Sequence, residues 1–493
     1  MRVTLGFDVG TSSSKGVLVA PDGTIVAQAT VAHEVSRPAL GHVEHDPAVW
    51  WNEFIDVTAQ LKAQRPDAEV TAVGVSGMGP CVLLTDADDV PVRPAILYGV
   101  DMRAIEQIER MTAELGVDAI TATAGSTLTT QAAGPKIVWV ADNEPEVYAR
   151  ARRLFMPSSW LARNLTGAYV LDHHSASQST PLYDVTTQQW HDAWWQRYAP
   201  GIEQPQLVWP GEIAGTITAV ASAATGLTEG TPVIAGTIDA WTESVSVGAV
   251  DPGDLMLMYG TTMFLVATGS EILRTPSMWT TIGAYPGTTN LAGGLATSGA
   301  LTAWLKDLTD TDYPALLAEA EAAGVGGNGL LMLPYFAGER TPILDPDARG
   351  VIAGLTVTHT RGDLYRAALE ATAFGVRHNI ETVRAAGAHI ERIVAVGGGT
   401  QGQLWLQIVS DVTGLVQEVP ATTIGASYGA AYLAAQAISD DKQSITDWNP
   451  VTTRIAPTPD NRADYDDLYA HYLALYTQTK DIQHALARRQ HGA

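Results

Sequence analysis

Asp8, Val9, Gly10, Thr11, Ser12, Ser13, Ser14 and Lys15 place one carboxylate, four hydroxyls and a flexible glycine in a single turn between two apolar, β-branched runs. Backbone N–H groups and hydroxyls in such a turn can surround phosphate oxygens, and a carboxylate at the strand end can hold Mg2+ through water. The segment is not a P-loop, which needs Gly, four residues, Gly, Lys and then Ser or Thr opening a helix. Taken alone, an ordinary hairpin turn is its other reading. Gly260, Thr261 and Thr262 repeat the design 250 residues later (260 minus 10), again between apolar runs. Two such hairpins closing on one triphosphate would place ATP in a cleft between two related domains.

Asp239 follows Gly236, Thr237 and Ile238, just beyond a short buried strand. A carboxylate there can take the proton of a substrate hydroxyl as it attacks the γ-phosphorus of ATP. By itself Asp239 serves equally as a helix N-cap. Gly397, Gly399 and Gly402 match the dinucleotide fingerprint literally, after a strand and before a helical pattern, with Glu418 further on. An NAD-dependent oxidoreductase is therefore the second reading. It leaves both hairpins without a role, and a glycine-rich strand-to-helix turn also lets the backbone approach an adenosine.

The elements that must position these residues follow from periodicity. Residues 3–7, 16–20 and 24–30 read as an antiparallel meander, 70–75 as a further strand, and 50–61, 104–115 and 136–141 as helices. In the second half, 254–259, 263–268 and 392–396 read as strands, 364–384 and 403–412 as helices. A tyrosine-striped amphipathic helix carries Leu468, Tyr469, Tyr472 and Tyr476. Residues 186–210 read as an irregular excursion and 439–460 as a surface connection. His173 and His174, read as strand neighbours facing opposite ways with no ligand cluster, are assigned no chemistry.

A chain of 493 residues exceeds one ordinary core, so two or three domains are expected. With 29 Lys plus Arg against 53 Asp plus Glu, a net charge of -24 repels phosphate backbones and anionic lipid. Neither nucleic acid nor membrane is an expected partner. Cys81 is the only cysteine, which excludes an internal disulfide and fits a reducing compartment. No run approaches the ~18 uncharged apolar residues of a membrane span, and the first residues lack a signal-peptide pattern, so a cytoplasmic location is expected.

Together these segments resemble the FGGY carbohydrate kinase family, in its xylulokinase-like branch. The resemblance also rests on Gly338, Glu339, Arg340, Thr341 and Pro342, and on Gly397, Gly398 and Gly399 ahead of Trp405, Gln407 and Asp411. It implies an α/β protein of two actin-like (ribonuclease H-like) ATPase domains, residues 1–247 and 248–493, with the sugar deep in the interdomain cleft. By the same resemblance Thr11, Ser12, Lys15, Gly260 and Thr261 would face phosphates. Gly299, Gly398, Gly399 and Gln401 would lie against the adenosine. Asp8 and Asp239 would attend the magnesium of Mg-ATP, with Asp239 also the catalytic base.

The implied reaction is phosphorylation of a small sugar or polyol, a ketopentose such as xylulose or a close relative; a homodimer is compatible with it. Two departures concern the sugar. Where the branch carries Gln, Met, His, this chain has Met78, Gly79 and Pro80, which removes a hydrogen-bonding group and leaves the sugar open. The family's Trp-x-Asp-x-Arg segment appears with one extra residue, as Tyr98 to Arg103. Asp101 and Arg103 are the expected partners of sugar hydroxyls, a surface ion pair being the other reading. The altered segment also raises a non-catalytic actin-like nucleotide switch as an alternative.

Overall fold

Two seven-stranded sheets of the same design carry the chain in a computed structural model that describes residues 1–491. In the first, Arg2–Val9, Ser13–Val19 and Ile25–Ala32 form the antiparallel meander, and Glu69–Gly77 and Pro232–Ile234 add parallel to it on the other side of Arg2–Val9. In the second, Asp254–Tyr259, Met263–Gly269 and Thr289–Leu295 form the meander, and Arg392–Val396 and Gln417–Pro420 add in parallel. Each sheet is covered by helices on both faces, so its central strands are buried along almost their whole length.

The sheets divide at the middle of the chain, but their coverings do not. Ala426–Ile438, from the second half, lies on the first sheet. A Cβ on Gly6 would stand 1.9 Å from the Ser427 carbonyl oxygen, and one on Gly74 would stand 2.0 Å from that of Ala430. Only glycine lets helix and sheet backbones approach this closely. The opposite face of the first sheet packs on Pro47–Gln64 through Val57 and Leu61.

Several local expectations fail for tertiary reasons. Residues 186–210 are not irregular: they hold Gln189–Trp190, the helix Asp192–Tyr198 and Gln206–Val208, with Trp190 and Trp195 buried in the core. The stretch 439–460 holds a short helix, Ile445–Trp448, packed with Ala426–Ile438, and an edge strand of the second sheet, Val451–Ile455. His173 and His174 open a short helix, His173–Ser177, and are not in a strand. His174 bonds the Ile282 carbonyl through Nδ1 at 2.6 Å and stacks on Trp241, and burial lowers its pKa to about 3. It is a neutral core residue bridging the two halves.

Candidate active site

The first hairpin is fixed by its register: Asp8 opposes Lys15, and Gly10 N–H closes the turn on the Ser13 carbonyl at 3.0 Å. Thr11 and Ser13 are partly exposed, and Ser12 and Lys15 are exposed. Glu69–Gly77 runs parallel beside Asp8, and Thr237–Ile238 pairs with Ser76 and Gly77 on the next edge. The carboxyl ends of three parallel strands thus deliver Asp8, Ser76 and Asp239 to one place, where open α/β sheets bind ligands. Ser76 Oγ donates to Asp8 at 2.5 Å.

Asp239 opens the helix Asp239–Ser246; it does not cap it, since Ile238 is the N-cap residue and has no side-chain cap bond. Its carboxylate accepts only the adjacent Ala240 N–H, at 2.8 Å. One turn on, Glu243 lies on the same face. Burial and then the charge of Asp8 push both Asp239 and Glu243 up to about 7. Burial also raises Asp8, against the Ser76 hydrogen bond and Lys15. Sequence patterns did not single out Glu243; its signal was the four-residue spacing from Asp239, legible only once the helix is known to begin there. Trp241 ties this helix to the second sheet by donating to Asn290 Oδ1 at 3.0 Å.

Met78 and Pro80 are buried beside this site, and Met78 N–H bonds the Val9 carbonyl at 2.7 Å. Gly79 packs so tightly on Ile238, the neighbour of Asp239, that a Cβ would come within 2.7 Å of it. Tyr98 stands over the first hairpin, its hydroxyl 2.8 Å from Thr11 Oγ1. Behind it Lys136 is buried and donates to the carbonyls of Tyr98 and Thr130; burial draws its pKa down to about 8.

Asp101 and Arg103 are turned inward. Asp101 accepts from Val43 N–H at 2.6 Å and from Arg103 Nε and Nη2, and Arg103 Nη1 donates to Glu44 at 2.7 Å. The Arg103 side chain is 0% exposed and lies over the Trp139 ring. Every strong bond either residue makes is internal, so the pair is a buried ion network, neither a surface ion pair nor a set of free groups facing the cleft. It fixes the loop that carries Tyr98.

In the second lobe, Gly260 N–H closes the second hairpin on the Thr262 carbonyl at 3.1 Å. The start of the helix Gly299–Leu308 is bonded to it through Gly299 N–H to Gly260 and Ala300 N–H to Thr261. Gly260, Thr261, Gly299, Gly398, Gly399 and Gln401 all line one cavity of about 680 Å3, whose other walls include Tyr313, Leu317, Tyr365 and Trp405. Glycine backbone on one side and apolar or aromatic walls on the other suit a planar base and ribose. The fingerprint reading fails on Glu418, which is buried and bound by Arg392 and Arg454, and so is unable to meet a ribose hydroxyl.

Paired sheets of this topology, a nucleotide-sized cavity in one lobe and a carboxylate cluster on strand ends in the other define a two-lobed, actin-like phosphotransferase. The comparisons with known proteins place it within that class. The N-terminal domain of the FGGY family of carbohydrate kinases matches residues 3–245 and its C-terminal domain residues 255–438. The chain is 30% identical to a xylulose kinase of Escherichia coli over 90% of its own length and 91% of that protein's. It is likewise 30% identical to a glycerol kinase of Clavibacter michiganensis, over 89% of each. The crystal structure of a xylulose kinase from Rhodospirillum rubrum superposes with a TM-score of 0.92 at 30% identity, covering 98% of this chain and 100% of that one. The chain belongs to the FGGY family of carbohydrate kinases, and it transfers phosphate from ATP to a sugar. No helix among the described residues is long and apolar enough to cross a membrane.

Proposed function

We propose that this kinase phosphorylates a terminal hydroxyl of a ketopentose or a closely related polyol, with Asp239 as the general base. The observation that carries the assignment is the placement of the Asp239 carboxyl: it sits at a strand end beside Asp8, and its only hydrogen bond is from the adjacent Ala240 N–H, which leaves an oxygen free to take a proton. As the sugar oxygen bonds to the γ-phosphorus, its proton passes to Asp239. The bond from that phosphorus to the bridging oxygen breaks, and its electron pair leaves with ADP.

Magnesium suits the donor set. Asp8, Asp239 and Glu243 are mutually repelling carboxylates with raised pKa values, the environment a divalent cation relieves. Mg2+ characteristically keeps several waters and phosphate oxygens, so one or two carboxylates suffice to bind it. Asp8 and Asp239 would hold it, and when bound it would offset charge on the phosphates. Thr11, Ser12, Lys15, Gly260 and Thr261 would face those phosphates, and Gly299, Gly398, Gly399 and Gln401 the adenosine.

Relatives named for xylulose make a ketopentose the first candidate, while Met78, Gly79 and Pro80 give a more apolar wall next to Asp239. Lobes of residues 1–247 and 248–493 would close over the pair of substrates, in the cytoplasm. The test is a coupled ADP-release screen over ketopentoses, polyols and sugar acids with Mg-ATP, repeated with Asp239→Asn. The variant is expected to lose about 10²- to 10⁴-fold in rate on the best acceptor. Full activity in that variant would remove Asp239 from the mechanism.

A further inference from the structure

Lys15 and Arg340 are exposed cations, one from each lobe, for which no carboxylate lies within ion-pair distance among the described residues. Elsewhere arginines near the site are paired: Arg93 and Arg103 share Glu44.

Arg340 is held there by its neighbours. Glu339 and Thr341, on either side, are both buried. Glu339 Oε1 accepts the N–H groups of Ala296 and Arg340, each at 2.7 Å. Thr341 Oγ1 accepts from Gly294 N–H at 2.7 Å and is 2.5 Å from Asn379 Oδ1. Main-chain bonds between Glu339 and Asp345 at 2.8 and 2.9 Å close the turn, and Asp345 is itself gripped by Tyr476 and His484 of the terminal helix. A turn anchored at both flanks presents its central side chain in a fixed direction.

The turn of Arg340 is tied to both hairpins. Ala296, bonded to Glu339, lies two residues before Ser298, whose N–H bonds the carbonyl of Thr261 in the second hairpin. Across the cleft the guanidinium is close enough to Tyr98 to act on its phenol, and Tyr98 is bonded to Thr11 of the first hairpin. Buried atoms on this side of the cleft also lack partners: Glu339 Oε2, Thr297 Oγ1 and Ser298 Oγ.

We infer that Arg340 is a further catalytic residue, its guanidinium binding the oxygens of the phosphoryl group as it passes from ADP to the sugar. The inference rests on the phosphoryl-transfer chemistry above. Guanidinium presents a rigid donor fork that matches phosphate oxygens two at a time, and its charge counts most when charge spreads over those oxygens in the transition state.

Arg340→Ala is expected to keep its melting temperature, since the side chain has no internal partner, and to bind ATP within about threefold of the wild type. Its kcat should fall by about 10³-fold, the scale of an arginine supplied to a transferring phosphoryl group. Added guanidinium ion should restore part of that rate, and Arg340→Lys should retain part of it. A kcat within about twofold of the wild type overturns the inference. So does a loss that neither guanidinium nor lysine relieves, or one carried wholly by substrate affinity. If the wild type phosphorylates none of the acceptors, the acceptor assignment fails by itself, and Arg340 is then scored on the slow hydrolysis of Mg-ATP by water.

Discussion

Replacing Glu243 with Gln should make the protein more stable above about pH 5, by an amount that grows until about pH 7. Burial and then Asp8 hold this carboxyl at about 7 against an ordinary 4.5, so the folded state binds its proton more tightly than the unfolded state does. An acid raised in this way favours folding at low pH, and that advantage is lost as pH rises from 4.5 through 7. At about 1.4 kcal/mol for each unit of pKa, keeping the group ionised above pH 7 costs at most roughly 3–4 kcal/mol. Because solvent reaches part of the side chain and Lys15 opposes the effect, about 1–3 kcal/mol is expected. Thermal unfolding of wild type and Glu243→Gln should therefore coincide near pH 4 and separate by several degrees at pH 8, at about 2–4 °C per kcal/mol for a lobe of this size. Equal midpoints at pH 8, or an equal separation at both pH values, would refute the account of three coupled carboxylates.

The same variant should alter catalysis in step. Glu243 contributes to the raised pKa of Asp239, so the acidic limb of kcat/KM should move to lower pH in Glu243→Gln; an unmoved limb would separate the two groups. Arg103→Ala would leave Asp101 buried without its cation, and Glu44 with Arg93 alone, and should cost about 3–5 kcal/mol in urea unfolding, whereas a loss below about 1 kcal/mol would mean that water takes the place of the guanidinium. Gly6→Ala would drive a methyl group into the Ser427 carbonyl and should destabilise by about 1–3 kcal/mol or more, with faster amide exchange in Ala426–Ile438; an unchanged melting temperature would show that the helix can yield.

Much of this architecture is local, and it was legible for that reason. Asp254–Tyr259 and Arg392–Val396 begin and end where their apolar runs do, and the two Gly-Thr hairpins announce themselves by flanking strands. What was not legible depends on partners distant in sequence. The tryptophans of residues 186–210 resembled a loop because their regular elements are only two to seven residues long and are stabilised by burial against other segments. Asp101 and Arg103 have the residue types of a sugar clamp, but Glu44 and Val43 N–H, more than fifty residues away, claim them. The arrangement of Asp8, Asp239 and Glu243 likewise emerges only when three strands are laid in register.

The helix Ala426–Ile438 on the first sheet has a consequence for synthesis. When Val247 leaves the ribosome every strand of the first sheet has been made, yet one of its faces, with Gly6 and Gly74 at its centre, still waits for a cover encoded near the end of the chain. The ~190 residues in between take on the order of 10–40 s to translate. For that interval the first half is an apolar sheet open on one side, a client for chaperones. A fragment ending at residue 247 would remain in that state permanently.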